Sequence, residues 1–292
     1  MSKVTVGIFL AVLAASLYAL NAPFSKLLLS YLPSTLMAGF LYLGAGLGML
    51  IVGLVKRSLK TEDKEEQLSK KDLPFTVAMV VLDIFAPIFL LLGLSMTTAE
   101  NASLLNNFEI VATAVIALVF FKEKISPRLW VGIILVTLSC ALLSFENILS
   151  LKFSLGSIFV LLACICWGIE NNCTRNLSEK DPLQIVVVKG IFSGLGSVVI
   201  GFCIGQKITE VWPIFATMLV GFVAYGLSIF FYVYAQRILG AAKTSAYYAV
   251  APFIGVLLSF VIFRDIPNYV FFIALAIMMV GAWLCSKDET QS

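Results

Sequence analysis

Histidine is absent from all 292 residues. This removes the commonest protein metal ligand and the side chain that usually shuttles protons near neutral pH. It also excludes Ser-His-Asp and Cys-His nucleophilic sites. Charge is scarce as well: 13% of residues are charged and 60% are hydrophobic, and mean hydropathy is +1.01. A soluble domain of this size could not cover its exterior with so little polar surface, so the chain reads as membrane-embedded. No Gly-rich phosphate loop of the form GxxxxGKS/T occurs, which argues against ATP as an energy source within this chain. The net charge of +3 is too small to suggest a nucleic-acid partner.

The cysteines at 140, 164, 166, 173, 203 and 285 lie within or at the ends of apolar segments and read as small packing residues. No metal site or cofactor is expected. The apolar run from Val4 passes well beyond residue 20 without a convincing small-residue cleavage site, so it reads as a first transmembrane helix and not as a cleaved leader.

Breaking the chain at charges, Pro and Gly predicts ten apolar segments: 4–30, 35–55, 74–96, 101–121, 127–145, 153–177, 183–205, 213–236, 243–263 and 268–286. Each offers about the 20 residues a spanning helix needs. The connections are short except for 56–72, which reads as a solvated polar loop. Lys and Arg divide unevenly between the two sets of segment ends, fifteen against four (Lys26, Lys152, Lys207 and Arg264), with Lys189 inside a span. This bias predicts cytoplasmic N and C termini and a cytoplasmic 56–72 loop.

The chain also repeats itself. Ala99-Glu100-Asn101-Ala102-Ser103, an apolar stretch and Phe121-Lys122-Glu123 correspond to Ala242-Lys243-Thr244-Ser245-Ala246, a similar stretch and Phe263-Arg264-Asp265. Tyr18-Ala19 corresponds to Trp167-Gly168, and Lys26 to Arg175. Residues 1–148 and 149–292 are thus read as two five-helix repeats. Five is odd, so the second must enter the membrane upside down relative to the first. The expected fold is an all-α membrane bundle of two inverted repeats, in which a substrate site tends to lie near the midplane.

On these residues, together with the run Gly240-Ala241-Ala242 leading to Pro252, the chain resembles the drug/metabolite transporter superfamily, specifically its EamA-type ten-helix permeases. The resemblance spans essentially the whole chain. It implies that helices 1, 3, 4, 6, 8 and 9 line a central cavity, that helices 2 and 7 help gate it, and that 5 and 10 are peripheral. Two positions depart from the pattern. Glu109 stands within one residue of where the other half has Pro252, and Lys189 sits near a helix 7 position often held by Arg.

Four ionisable residues fall well inside spans: Asp83, Glu109, Glu170 and Lys189. A charge at the bilayer centre costs ~2.5–3.5 kcal/mol even on the lenient insertion scale, so each is expected to face the protein interior or a wet cavity. At 1.5 Å per residue, Glu109 lies about 12 Å from the outer end of its helix and Asp83 about 13 Å from the inner end of its own. Glu170 and Lys189 are both about 10 Å from the inner surface and read as an ion pair, either structural or gating. Glu109 has no basic residue at its depth. It can exchange a proton, neutralise a cationic ligand or, protonated, hydrogen-bond between helices. Asp83 carries the same ambiguity. Polar and aromatic residues around these form the candidate lining: Tyr18, Asn21, Asn106, Trp167, Asn171, Tyr225, Tyr247 and Tyr248, with Ser245 nearby. Aromatic faces with a carboxylate suit an amine or other organic cation. Tyr31, Tyr42, Trp212 and Tyr269 read as an interfacial belt. The glycines at 44, 46, 48, 190, 194 and 196 mark helices 2 and 7 for close packing or for a bending or sliding gate.

The expected function is secondary transport of a small polar metabolite, proton-coupled or facilitated, with lipid, substrate and possible protons as partners and a monomer favoured. The alternatives are a membrane enzyme or a non-transporting receptor. An intramembrane aspartyl protease would need two facing Asp, and Asp83 alone lies deep.

Overall fold

The computed structural model describes residues 3–59, 65–121, 126–147, 152–175, 177, 180–239, 244 and 247–286. Some features of the sequence lie outside them: Lys122-Glu123, Gly240-Ala241-Ala242, Lys243, Ser245-Ala246 and the side chain of Arg175.

The chain opens with α1 (Lys3–Ala19) and α2 (Asn21–Leu28), two pieces of one span. Pro23 explains the break: it has no N–H to offer the carbonyl of Ala19, and its ring crowds the preceding turn. The next helices are α3 (Ser34–Ser58) and, after a 3₁₀ turn at Lys70–Asp72, α4 (Leu73–Met96). A second broken span follows, α5 (Ala99–Leu105) and α6 (Phe108–Phe121). Here no proline intervenes. Asn107 donates both its backbone N–H and its side-chain amide to the carbonyl of Leu104, each at 3.2 Å, the competition with helical bonding that Asn side chains offer. The first half ends with α7 (Pro127–Ser144).

A short antiparallel ribbon, Phe145–Asn147 with Lys152–Phe153, joins the halves. The second half comprises α8 (Leu155–Arg175), α9 (Pro182–Cys203), α10 (Trp212–Gly221), a π-helical segment Phe222–Leu227, α11 (Ser228–Leu239), α12 (Ala251–Phe263) and α13 (Tyr269–Ser286). A turn at Ala249–Val250 precedes α12, at the position that corresponds to Asn106–Asn107 in the repeat. Among the described residues, eight helical segments are long and apolar enough to cross a membrane. Two more, Ala251–Phe263 and Tyr269–Cys285, are apolar but shorter. Large apolar side chains such as Phe120, Ile134, Phe215 and Val261 stand exposed around the bundle, as a lipid-facing belt requires.

The most extensive helix contacts pair α3 with α9, α4 with α8, α7 with α13 and α1 with α11. Small residues make these seams. Gly7, Ala11, Ala14 and Ala15 form the buried face of α1, and Ser228 of α11 donates to the carbonyl of Ala14 at 2.8 Å. In the α3–α9 seam the backbones themselves touch. A Cβ on Gly46 would sit 2.6 Å from the nitrogen of Ile191, and one on Gly194 would sit 2.7 Å from that of Leu43. Without a hydrophobic force between helices in lipid, close approach of this kind supplies the association energy. Close packing therefore accounts for these glycines. A Cβ at Gly190 would run into the backbone of Gly46. Gly190→Ala should therefore cost about 1–3 kcal/mol, as overpacking does, read as a lowered melting temperature of the purified protein.

Candidate functional site

A chain of polar contacts threads the apolar bundle. Ser25 donates to Asn21 Oδ1 at 3.0 Å, and Asn21 Nδ2 donates to the hydroxyl of Tyr225 at 2.9 Å. The Tyr225 ring lies 5.1 Å from that of Tyr42, centroid to centroid. Tyr42 donates to Asp83 Oδ1 at 2.9 Å. Lys189 then bridges two carboxylates, Asp83 at 2.9 Å and Glu170 at 3.0 Å, and Thr174 donates to Glu170. Asn21, Asp83, Glu170 and Lys189 are all buried. The contacts tie α2, α3, α4, α8, α9 and the π-helical segment together. Tyr225 sits within that π segment, a type of irregularity frequent at functional sites.

The Glu170–Lys189 pair is present at the distance an ion pair requires. Asp83 is corrected: it is not a separate, unpaired group but a second partner of Lys189. Counting from helix ends put it about 3 Å deeper than Lys189, a difference that the flexible lysine stem spans. The cluster carries one positive and two negative formal charges.

Tyr42 is also corrected. It is 2% exposed and belongs to the buried network, not to an interfacial belt. Its depth could have shown this: it lies eight residues past Ser34, or about 12 Å into α3. Tyr31 and Trp212, by contrast, pair edge-to-face at 4.9 Å with both rings exposed.

Glu109 lies on a separate branch. It occupies the first turn of α6, where the positive end of the helix dipole favours a carboxylate. Asn171 donates to Glu109 Oε1 at 2.6 Å and to Thr113 Oγ1 at 3.3 Å. Glu109 is half-buried and Asn171 is exposed, so this carboxylate adjoins accessible space whereas Asp83 and Glu170 are sealed. The neighbouring Asn172 is structural, bonding the carbonyls of Gly168 and Thr113 at 2.8 and 3.2 Å.

The three helix breaks meet at a small cavity of about 10 Å³, lined by Tyr18, Asn21, Ser103, Asn106, Pro252 and Gly255 among others. That volume holds about one water. Tyr18 packs edge-to-face on Tyr225 at 5.8 Å and tilted against Tyr248 at 5.9 Å. Tyr248 lies 3.3 Å from the Ser228 hydroxyl. Two expected lining residues are not on this small cavity. Trp167 is 6% exposed and packs in the central apolar cluster, beside the Tyr42 hydroxyl of the polar network. Tyr247 is 38% exposed, since adjacent positions on a helix cannot both face inward and Tyr248 takes the inner face.

Residues 65–72 are largely exposed, in keeping with the expected solvated 56–72 loop, and are tethered as well. Glu66 pairs with Lys180, Asp72 lies 3.8 Å from the same ammonium, Gln67 donates to Asp181 at 3.2 Å, and the backbone of Leu68 donates to Gln184 at 2.7 Å. The stretch is thus solvated, as its charge density suggested, while complementary groups on the 180–184 segment hold it in place.

Two repeated segments, matching helix breaks and a buried polar network are the marks of a membrane carrier. The EamA-like transporter profile matches residues 5–145 and again 154–287. The chain belongs to the EamA-like transporter family and is a multi-pass membrane protein. An uncharacterized transporter of Methanothermobacter thermautotrophicus (strain ATCC 29096 / DSM 1053 / JCM 10044 / NBRC 100330 / Delta H) is 22% identical over 140 residues, which is 45% of this chain and 41% of that protein. The chain thus spans about two fifths of that relative's length. A solved crystal structure superposes on 100% of the chain and 99% of its own length, with a TM-score of 0.68 at 15% identity, a likeness of fold alone.

The bridging geometry makes a quantitative expectation. Glu170→Gln or Asp83→Asn leaves Lys189 with one carboxylate and should be mild. Lys189→Met leaves two buried carboxylates facing each other and should cost about 3–5 kcal/mol. The triple neutral variant should recover most of that loss, measured by thermal unfolding in one detergent.

Proposed function

We propose that this protein is a secondary transporter of a small polar metabolite bearing an ammonium group, such as an amino acid, an amine or another organic cation. It works by alternating access between two inverted five-helix repeats, residues 1–148 and 149–292. Ten spans with both termini cytoplasmic satisfy the positive-inside bias. The packing supports the inversion. The α3–α9 and α7–α13 pairs each join corresponding helices, while α4–α8 and α1–α11 exchange roles when the halves are swapped. The helix breaks at 106–107 and 249–250 occupy matching places.

One observation carries the mechanistic reading: among the deep carboxylates, Glu109 alone adjoins accessible space. It is half-buried beside exposed Asn171, while Asp83 and Glu170 share Lys189 in a sealed cluster. Glu109 is therefore the group that a proton or a cationic solute meets. The aromatic group of Tyr18, Tyr225 and Tyr248 offers faces to the cation. The central cavity beside this site, at about 10 Å³, holds no more than a water and must widen to admit a solute. Opening it requires the two halves to part. The sealed Asp83–Lys189–Glu170 cluster ties helices of both halves on the inner side and acts as the inner gate.

Purified protein in liposomes should move amines or amino acids. Glu109→Gln, nearly isosteric, should keep the fold and abolish concentrative transport. Residual downhill exchange with the pH dependence lost identifies Glu109 as the proton carrier. Loss of equilibrium binding identifies it as the substrate counter-ion. Wild-type flux with an unchanged pH profile in the variant would remove Glu109 from the mechanism. For topology, a cysteine introduced at Gln67 should be labelled from the cytoplasmic side, and labelling of intact cells by an impermeant reagent would reverse the orientation.

A further inference from the structure

A second, larger cavity lies apart from the central network. It encloses about 370 Å³ where the α4–α5 connection, the end of α7 and the α12–α13 connection converge. Its lining includes Glu100, Asp265, Asn101, Leu142, Leu143 and Phe271. Ligand cavities begin at about 300 Å³, so this space accommodates a small organic molecule. Its lining combines acidic and polar residues with apolar ones, and no Lys or Arg is among the described residues that line it.

Glu100 distinguishes this cavity from an ordinary crevice. It is 2% exposed, lines the cavity, and its Oε1 has no hydrogen-bond partner. A buried carboxylate oxygen without a donor is costly and is rarely kept without a reason. The lysine on α2, Lys26, is near enough to feel the charge of Glu100 but does not supply the bond. Its ammonium is held by the carbonyls of Leu94 and Thr97, at 2.5 Å each, the stabilising place for a cation at the C-terminus of α4. Asp265 adds a second, exposed carboxylate at the rim.

We infer that this vestibule is a binding site for an amphipathic organic cation, distinct from the central site. The ammonium group of the ligand donates to Glu100 and supplies the missing charge-assisted bond. Its apolar part lies against Leu142, Leu143 and Phe271. Asp265 raises the local concentration of cations at the mouth. The inference rests on the transporter reading, to which it adds a loading site ahead of Glu109, but the site itself is tested by binding alone.

The probe is radiolabelled phenethylamine, measured by equilibrium dialysis against the full-length protein in detergent. Phenylacetate and 2-phenylethanol serve as the anionic and neutral competitors. Saturable binding should appear, with a component that Glu100→Gln weakens by at least about tenfold and that Asp265→Asn weakens a few-fold. The component should persist in Glu109→Gln. Leu143→Trp, which fills the cavity without touching a charge, should also remove it, and this variant decides the matter if Glu100→Gln fails to fold. Unchanged binding in Glu100→Gln or Leu143→Trp, or competition by phenylacetate as effective as by the amine, would overturn the site. Glu100-dependent binding without any liposome flux would sink the transporter reading and leave the site standing. Flux without Glu100-dependent binding would do the reverse.

Discussion

One ammonium group, that of Lys189, holds the centre of this protein together. Burying it inside a membrane segment costs more than any hydrogen bond returns unless a counter-charge meets it. Asp83 from α4 and Glu170 from α8 both do, at 2.9 and 3.0 Å. The rest of the polar interior is arranged around this demand. Tyr42 and Thr174 donate to the carboxylates, Tyr225 packs tilted against Tyr42, and Asn21 reaches Tyr225 from the first span. The lysine itself joins α4, α8 and α9, and the other contacts extend the network to α2, α3 and the π-helical segment. Because two acids share one base, either can let go without stranding the other's charge pair. The lysine would keep a counter-charge if either bond broke, which is what the proposed gate would use.

The acidic groups divide by what can reach them. Asp83 and Glu170 are sealed and serve the lysine. Glu109 is half-buried beside an exposed amide, and Glu100 borders the larger cavity at the start of its span. Glu100 and Glu109 are nine residues apart on a single broken span, about 14 Å if the helix were continuous. The break at Asn106–Asn107 lies between them. The two carboxylates thus lie along one segment, with the irregular backbone between them, and on the proposed reading a cation would pass from one to the other along it.

Much of this was legible in the sequence. Hydropathy and the Lys/Arg bias outlined the membrane segments, and the repeated Ala-rich and Phe-basic-acidic stretches revealed the duplication. Depth counting paired Glu170 with Lys189, since both sit on adjacent helices at one level. The same counting missed Asp83, because side-chain reach is not visible in residue numbers. Tyr42 was missed because aromatic residues near helix ends usually mark the interface, and its hydroxyl partner lies 41 residues away. Glu100 was passed over because it stands at the start of a segment, where charge is ordinarily solvated. The α5–α6 break carried no proline to announce it, and the inward face of Tyr248 over Tyr247 depends on how the helix is rotated, which one sequence does not define.

The contacts between residues 65–72 and 180–184 differ in kind from the Lys189 cluster. Glu66 is largely exposed, and its pairing with Lys180 lies at the surface, where mobile ions compete with it. The Debye length at physiological ionic strength is about 8 Å, so dissolved salt weakens this clasp while leaving the membrane-embedded charges untouched. Two charged fastenings thus join the halves of the protein, and one of them responds to the ionic content of the surrounding water. Raised salt would loosen the loop clasp first, and the interior would keep its architecture while the surface let go.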